Sequence, residues 1–140
     1  MWIESILSFF LIICALWDGY KKEIPLIVVW GGMLAAVILR AAGVMGERTW
    51  VILGGAFLPG VIFWIISFMT RGKVGYGDGW VLMMIGLFVG GTRCFLILML
   101  SLMMESVILL LLLAFRKIRR DAEVPFVPFL LLGLGVAVCL

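Results

Sequence analysis

The chain contains no histidine. That removes Ser-His and Cys-His nucleophile pairs and histidine-ligated metal sites from consideration. Cysteine is nearly as scarce. Cys14, Cys94 and Cys139 lie far apart, within or beside apolar segments, and no Cys-x-x-Cys occurs. Neither a zinc knuckle nor a dithiol redox centre is supported, and each cysteine reads as a small apolar filler. Charge is the third shortage. Only 14% of the 140 residues are charged, against 66% hydrophobic, where a soluble domain carries about a quarter charged residues. The net charge of +3 is too small to argue for a nucleic-acid partner. No metal and no cofactor are expected.

What is present is a succession of apolar runs of bilayer length, at roughly 2–17, 24–43, 50–69, 80–91, 94–115 and 125–140. The expected fold class is an all-α membrane protein, a bundle of six transmembrane helices with the fourth short, forming one integral-membrane domain over residues 1–140. Pro25 and Pro125 each open a run, where a missing N–H costs nothing. The first run, "MWIESILSFFLIICALWD", has no basic leader, carries Glu4 and lacks a small-residue cleavage site, so it reads as a retained span. The fourth, "WVLMMIGLFVGG", reaches only about 18 Å as a helix, short of the roughly 30 Å of hydrocarbon. Such a span must be buried in protein or border a watery cavity.

Lysine and arginine orient the bundle. The first, third and fifth loops hold Lys21, Lys22, Arg71, Lys73, Arg116, Lys117, Arg119 and Arg120, and the second and fourth hold only Arg40, Arg48 and Arg93. The odd loops are therefore expected in the cytoplasm and both termini outside. Within "RKIRRDAE", residues 116–123, the basic residues serve first as a positive-inside anchor, with lipid head groups as a second reading. Trp2, Trp17, Trp50 and Trp80 fall near span ends, as an interfacial belt would place them.

This topology brings two aspartates to one membrane face, Asp18 at the end of the first span and Asp78 at the start of the fourth. Two carboxylates a few ångströms apart cannot both ionise cheaply, so one keeps a proton while the other can take one from water. That is a means of hydrolysing a peptide bond without histidine or metal. Gly75 and Gly77 precede Asp78 in "KVGYGDGW" and suit a backbone that an extended substrate must approach closely. Plainer readings stand beside this one. Asp78 could simply cap the fourth helix, and Asp18 could be an interfacial residue paired with Lys21 or Lys22. Glu105, in the middle of the fifth span, is a functional candidate by position. A structural role, protonated or hydrogen-bonded to Ser101, Ser106 or another helix, is the favoured reading, with a proton or polar-network role beside it.

The motifs are more specific than either aspartate. "GYGD", residues 75–78, resembles the G-x-G-D motif of intramembrane aspartyl proteases. With the preceding "RGK" and the following short span ending "GG", it resembles the type IV prepilin peptidase family in particular. "DGYKKEIP", residues 18–25, is similar to that family's first motif, and "VPFVPFLLLG", residues 124–133, to its late segment opening the last span. The resemblance implies a membrane endopeptidase that removes the basic leader of a prepilin or pilin-like precursor at the cytoplasmic face of a prokaryotic plasma membrane. It implies Asp18 and Asp78 as the catalytic pair, and Gly75, Gly77, Pro25, Pro125, Phe126 and Pro128 as the residues beside the substrate. Leu26 and Val127 depart from the family pattern, at positions usually occupied by Asn or Asp and by Gly. The short chain without a cysteine-rich cytoplasmic region resembles peptidase-only members that serve Flp-type pili or archaeal preflagellins, so cleavage without methyl transfer is expected. Presenilin-like enzymes share G-x-G-D but carry a Pro-Ala-Leu motif that is missing here. Membrane lipid is a further expected partner, and self-association into a homo-oligomer stays open. The competing functions are a non-catalytic pilus-assembly membrane protein and a small transporter subunit.

Overall fold

The computed structural model describes residues 2–21, 25–43, 49–71, 76–117 and 126–139, with the side chains of 49–53 and 56 left aside. In chain order the elements are α1 (Trp2–Lys21), α2 (Leu26–Ala41), α3 (Thr49–Met69), α4 (Tyr76–Val89), α5 (Gly91–Ala114) and α6 (Val127–Cys139). Two of them, α1 and α5, are long and apolar enough to cross a membrane. The other apolar stretches, Leu26–Ala41, Phe57–Met69, Tyr76–Val89 and Val127–Cys139, are shorter. The all-helical expectation is met, and the six helices follow the six apolar runs to within a few residues.

The shortest expected span is the centre of the bundle. All eight residues from Val81 to Phe88 are buried, and α1, α2, α3 and α5 all pack against α4. A helix of about 21 Å is too short to cross the hydrocarbon alone, and one that is apolar on every side can be enclosed by its neighbours all round. The outer helices turn large apolar side chains outward, among them Phe9, Leu16, Ile27, Leu34 and Leu110. Such a surface suits lipid and not water.

The element ends follow from local chemistry. Pro25 is the N-cap of α2, and its carbonyl accepts the amides of Val28 (3.0 Å) and Val29 (3.2 Å). One residue, Gly90, separates α4 from α5. Its φ of +88° is a backbone state that L side chains rarely adopt, and it ends α4 sharply. The chain then returns along α5. Cys14 and Cys94 are buried, as apolar fillers should be, whereas Cys139 is exposed.

Candidate active site

Asp18 belongs to the core face of its helix. The buried residues of α1 are Leu7, Leu11, Cys14, Ala15 and Asp18, a stripe at helical spacing, and Asp18 is only 6% exposed. A carboxylate in that position needs donors. It finds them at the start of α6, where the Val127 amide donates to Oδ2 in a long hydrogen bond of 3.4 Å and the Phe126 amide also reaches the carboxylate. The N-terminus of a helix is the natural place to hold a negative charge, since its first amides lack intrahelical partners. The interfacial pairing with Lys21 is not formed. That ammonium stands 4.9 Å from the centroid of the Trp17 ring, and Lys22 lies outside the described residues.

Asp78 is the third residue of α4, inside its first turn, so it is not the cap of that helix. It is partly buried, and the carboxylates of both Asp18 and Glu105 lie within Coulombic reach of it. Three acids from α1, α4 and α5 thus converge at one end of the bundle. The sequence marks Glu105 as a candidate but does not relate it to either aspartate. The two serines proposed as its partners donate elsewhere, Ser101 Oγ to the Ile97 carbonyl (2.6 Å) and Ser106 Oγ to the Leu102 carbonyl (2.7 Å).

The surrounding frame is aromatic. Trp80, two residues past Asp78, sits edge-on between Trp64 of α3 (centroids 4.6 Å apart) and Trp30 of α2 (5.9 Å). Trp64 Nε1 donates to the Tyr76 carbonyl at 3.2 Å, so α3 ties down the first turn that carries Asp78. The glycine that this packing needs is Gly79, because a Cβ there would collide with the Trp64 ring. Sequence reasoning singled out Gly75 and Gly77 instead. Gly77 has an ordinary helical place in α4, and Gly75 lies outside the described residues, as does Pro125.

The remaining implied substrate residues divide. Phe126 is buried and stacks on Phe63 of α3, with centroids 5.7 Å apart and planes at 15°. Pro128 is half-buried in the first turn of α6. The late motif therefore frames Asp18 through backbone amides, and at the departure Val127 it is the amide, not the side chain, that reaches the acid. Pro25 caps α2, and nothing among the described residues joins it to either aspartate. No group of three or more acidic or cysteine side chains suited to a metal ion occurs among the described residues.

A family model for the type IV leader peptidase family matches residues 5–114, a stretch that includes Asp18, Asp78 and Glu105 and ends before α6. No curated protein and no solved structure matches the chain.

Proposed function

The chain belongs to the type IV leader peptidase family, and from that premise we propose that it is an integral-membrane aspartyl endopeptidase that removes the leader of prepilin-like precursors. The observation that carries the reading is the convergence of Asp18 and Asp78. Sixty positions apart in the chain, they come from different helices to within Coulombic reach of each other at one end of the bundle. In this reading all six helices cross or enter the bilayer, the odd loops face the cytoplasm, and the acid end opens to it.

The chemistry needs only the pair and a water. Two neighbouring carboxyl groups share one proton, and the pair titrates as a unit. The ionised member takes a proton from water as the water oxygen attacks the scissile carbonyl carbon. The protonated member gives its proton to the carbonyl oxygen, and a gem-diol forms. The member now protonated gives its proton to the amide nitrogen, a gem-diol hydroxyl gives one to the other carboxylate as the C=O re-forms and the C–N bond breaks, and the dyad again holds one proton. Asp18, held by the amides of Phe126 and Val127 at the start of α6, is the fixed member. Asp78, on the first turn of α4 beside the 72–75 stretch, is the member nearest to where a substrate strand would lie.

The test is a leader-cleavage assay with the full chain in vesicles, using several prepilin-type precursors, a Flp-type one included, and reading the mass of the product. Cleavage by the wild type and by neither Asp18→Asn nor Asp78→Asn, all three folded, is the expected result. Cleavage that survives either substitution would sink the mechanism. Failure to cut any precursor while the protein co-purifies with pilus components would favour a non-catalytic assembly role.

A further inference from the structure

The end of the bundle opposite the acids holds a cavity of about 790 Å³. Four helix ends meet there: the start of α1, the end of α2, the end of α4 and the start of α5. Its walls are mixed. Ile3, Leu58, Ile62, Phe88 and Phe95 supply apolar surface, and Arg40, Arg93 and Glu4 supply charge. Arg93 is exposed and pairs with Glu4 at 3.5 Å, so these two charges offset each other at the rim. Arg40 is different. It is 93% buried, with an exposure of 7%, and among the described residues no acid other than Glu4 lines the cavity.

One side of the Arg40 guanidinium has a structural task. Its Nε donates to the Leu87 carbonyl at 2.7 Å, in the last turn of α4, where carbonyls lack intrahelical donors. No other hydrogen bond to Arg40 is formed among the described residues, and Arg40 is one of the residues that line the cavity. Beside it α5 begins. Cys94 N bonds to the Gly90 carbonyl, but the amides of Gly91, Thr92 and Arg93 precede the first intrahelical bond and point outward from the helix start. Gly91 lets that start come close to α3, since a Cβ at Gly91 would collide with the Gly55 carbonyl. That carbonyl is itself without a helical donor, because residue 59, four positions on, is proline.

A buried guanidinium and a helix N-terminus converging on one cavity form an anion site. The size and the apolar walls indicate what carries the anion. A small inorganic ion would leave most of the volume and all of the apolar surface unused. We propose that this cavity binds the anionic head group of a membrane phospholipid, held by Arg40 and the first amides of α5, with an acyl chain lying along Leu58, Ile62 and Phe95. The inference does not depend on the peptidase reading, because the site lies at the other end of the bundle.

The test uses the full chain in a mild neutral detergent, following thermal unfolding and counting bound lipid by native mass spectrometry. The probes are short-chain phosphatidylglycerol, short-chain phosphatidylcholine and inorganic phosphate. Phosphatidylglycerol should raise the unfolding temperature saturably, with a half-saturation at least about tenfold below that of either other probe. Arg40→Gln should weaken that binding about tenfold or more. Should this variant fail to fold, Gly55→Leu decides alone. A Cβ at Gly55 meets nothing within 4 Å, so the added side chain can enter the cavity with both arginines in place, and it should abolish the shift. Equal response to phosphatidylcholine, inorganic phosphate binding as tightly as the anionic lipid, or undiminished binding in Gly55→Leu would each overturn the proposal.

Discussion

The two ends of the bundle handle buried charge in opposite ways. At one end Asp78 lies within Coulombic reach of two further acids, Asp18 and Glu105, all of like sign. At the other, Arg40 is matched to a helix-end carbonyl and Arg93 to Glu4. A charge kept for structure is given complementary partners, as Arg93 is by Glu4 and, on one side of its guanidinium, Arg40 by a carbonyl, because an unmatched charge in a poorly solvated place costs several kcal/mol, on the order of a small protein's whole stability. Like charges brought together lower stability, and such an arrangement persists where it does something else. The contrast is the reason for placing the proposed chemistry at the acid end and the proposed lipid binding at the arginine end.

The sharpest way to break that contrast is to neutralise the acids. Asp18→Asn and Asp78→Asn should each lower leader cleavage by about 10²–10⁴-fold, the usual worth of a positioned acid or base. The double substitution should be little worse than either single one, since residues acting as a unit are not additive. Rates from product mass, on variants shown to be folded, check this. If the two single losses multiply, the aspartates do not act as one pair. The arginine end should respond in stability instead. Arg40→Met keeps most of the side-chain length but removes the donor to the Leu87 carbonyl, and should cost about 1.5–3 kcal/mol in unfolding free energy. An unchanged unfolding profile would mean that the last turn of α4 finds its donors elsewhere.

How far these ends could be read in advance depended on the kind of signal. The burial of α4 was legible, because twelve apolar residues are too few to cross a bilayer and must be enclosed. Which face of α1 turns inward was not. Leu7, Leu11 and Cys14 point to the core while Phe9, Ile12 and Leu16 point out, yet both sets are apolar, and a helix in lipid carries no polar face to show its phase. The position of Asp18 on the inner stripe therefore came only with the packing, as did its donors from the start of α6, 109 positions along the chain. Arg40 counted toward orientation by loop charge, and nothing local marks its partner 47 residues away. Glu105 was conspicuous as an acid in an apolar run, but its relation to Asp78 needs α5 to turn back at Gly90. Gly79 went unremarked beside Gly75 and Gly77 because a close helix contact, unlike a turn, leaves no pattern of its own.

Gly79 sharpens the comparison from the side of the frame. Gly79→Ala puts a methyl group where the Trp64 ring lies. Overpacking of that kind costs about 1–3 kcal/mol, of which the better helix propensity of alanine returns up to about 1 kcal/mol. The net expectation is a loss of about 1–2 kcal/mol, with Trp64 drawn off its hydrogen bond to Tyr76. Trp64→Leu in the same chain should make the alanine harmless, because the flat ring that it meets is gone. Unfolding of the two single variants and the double variant measures the coupling. Simple additivity would show that α3 and α4 adjust without Trp64.

Glu105 gives the smallest expected effect and the finest test of the acid end. It adds a third carboxylate facing Asp78, with no hydrogen bond to its side chain from the described residues. In the proposed mechanism it takes no step, since one proton shared by Asp18 and Asp78 suffices. Glu105→Gln keeps the size of the side chain, keeps hydrogen-bonding capacity and removes the charge. If the acid is only a neighbour, its removal relieves like-charge repulsion, and the protein should gain a fraction of a kcal/mol, up to about 1 kcal/mol at partly buried separations. Cleavage should then stay within about threefold of wild type. A fall of a hundredfold with stability unchanged would mean that the unit at this end is a triad, and that the proton shared by the two aspartates is supplied or held by the third acid.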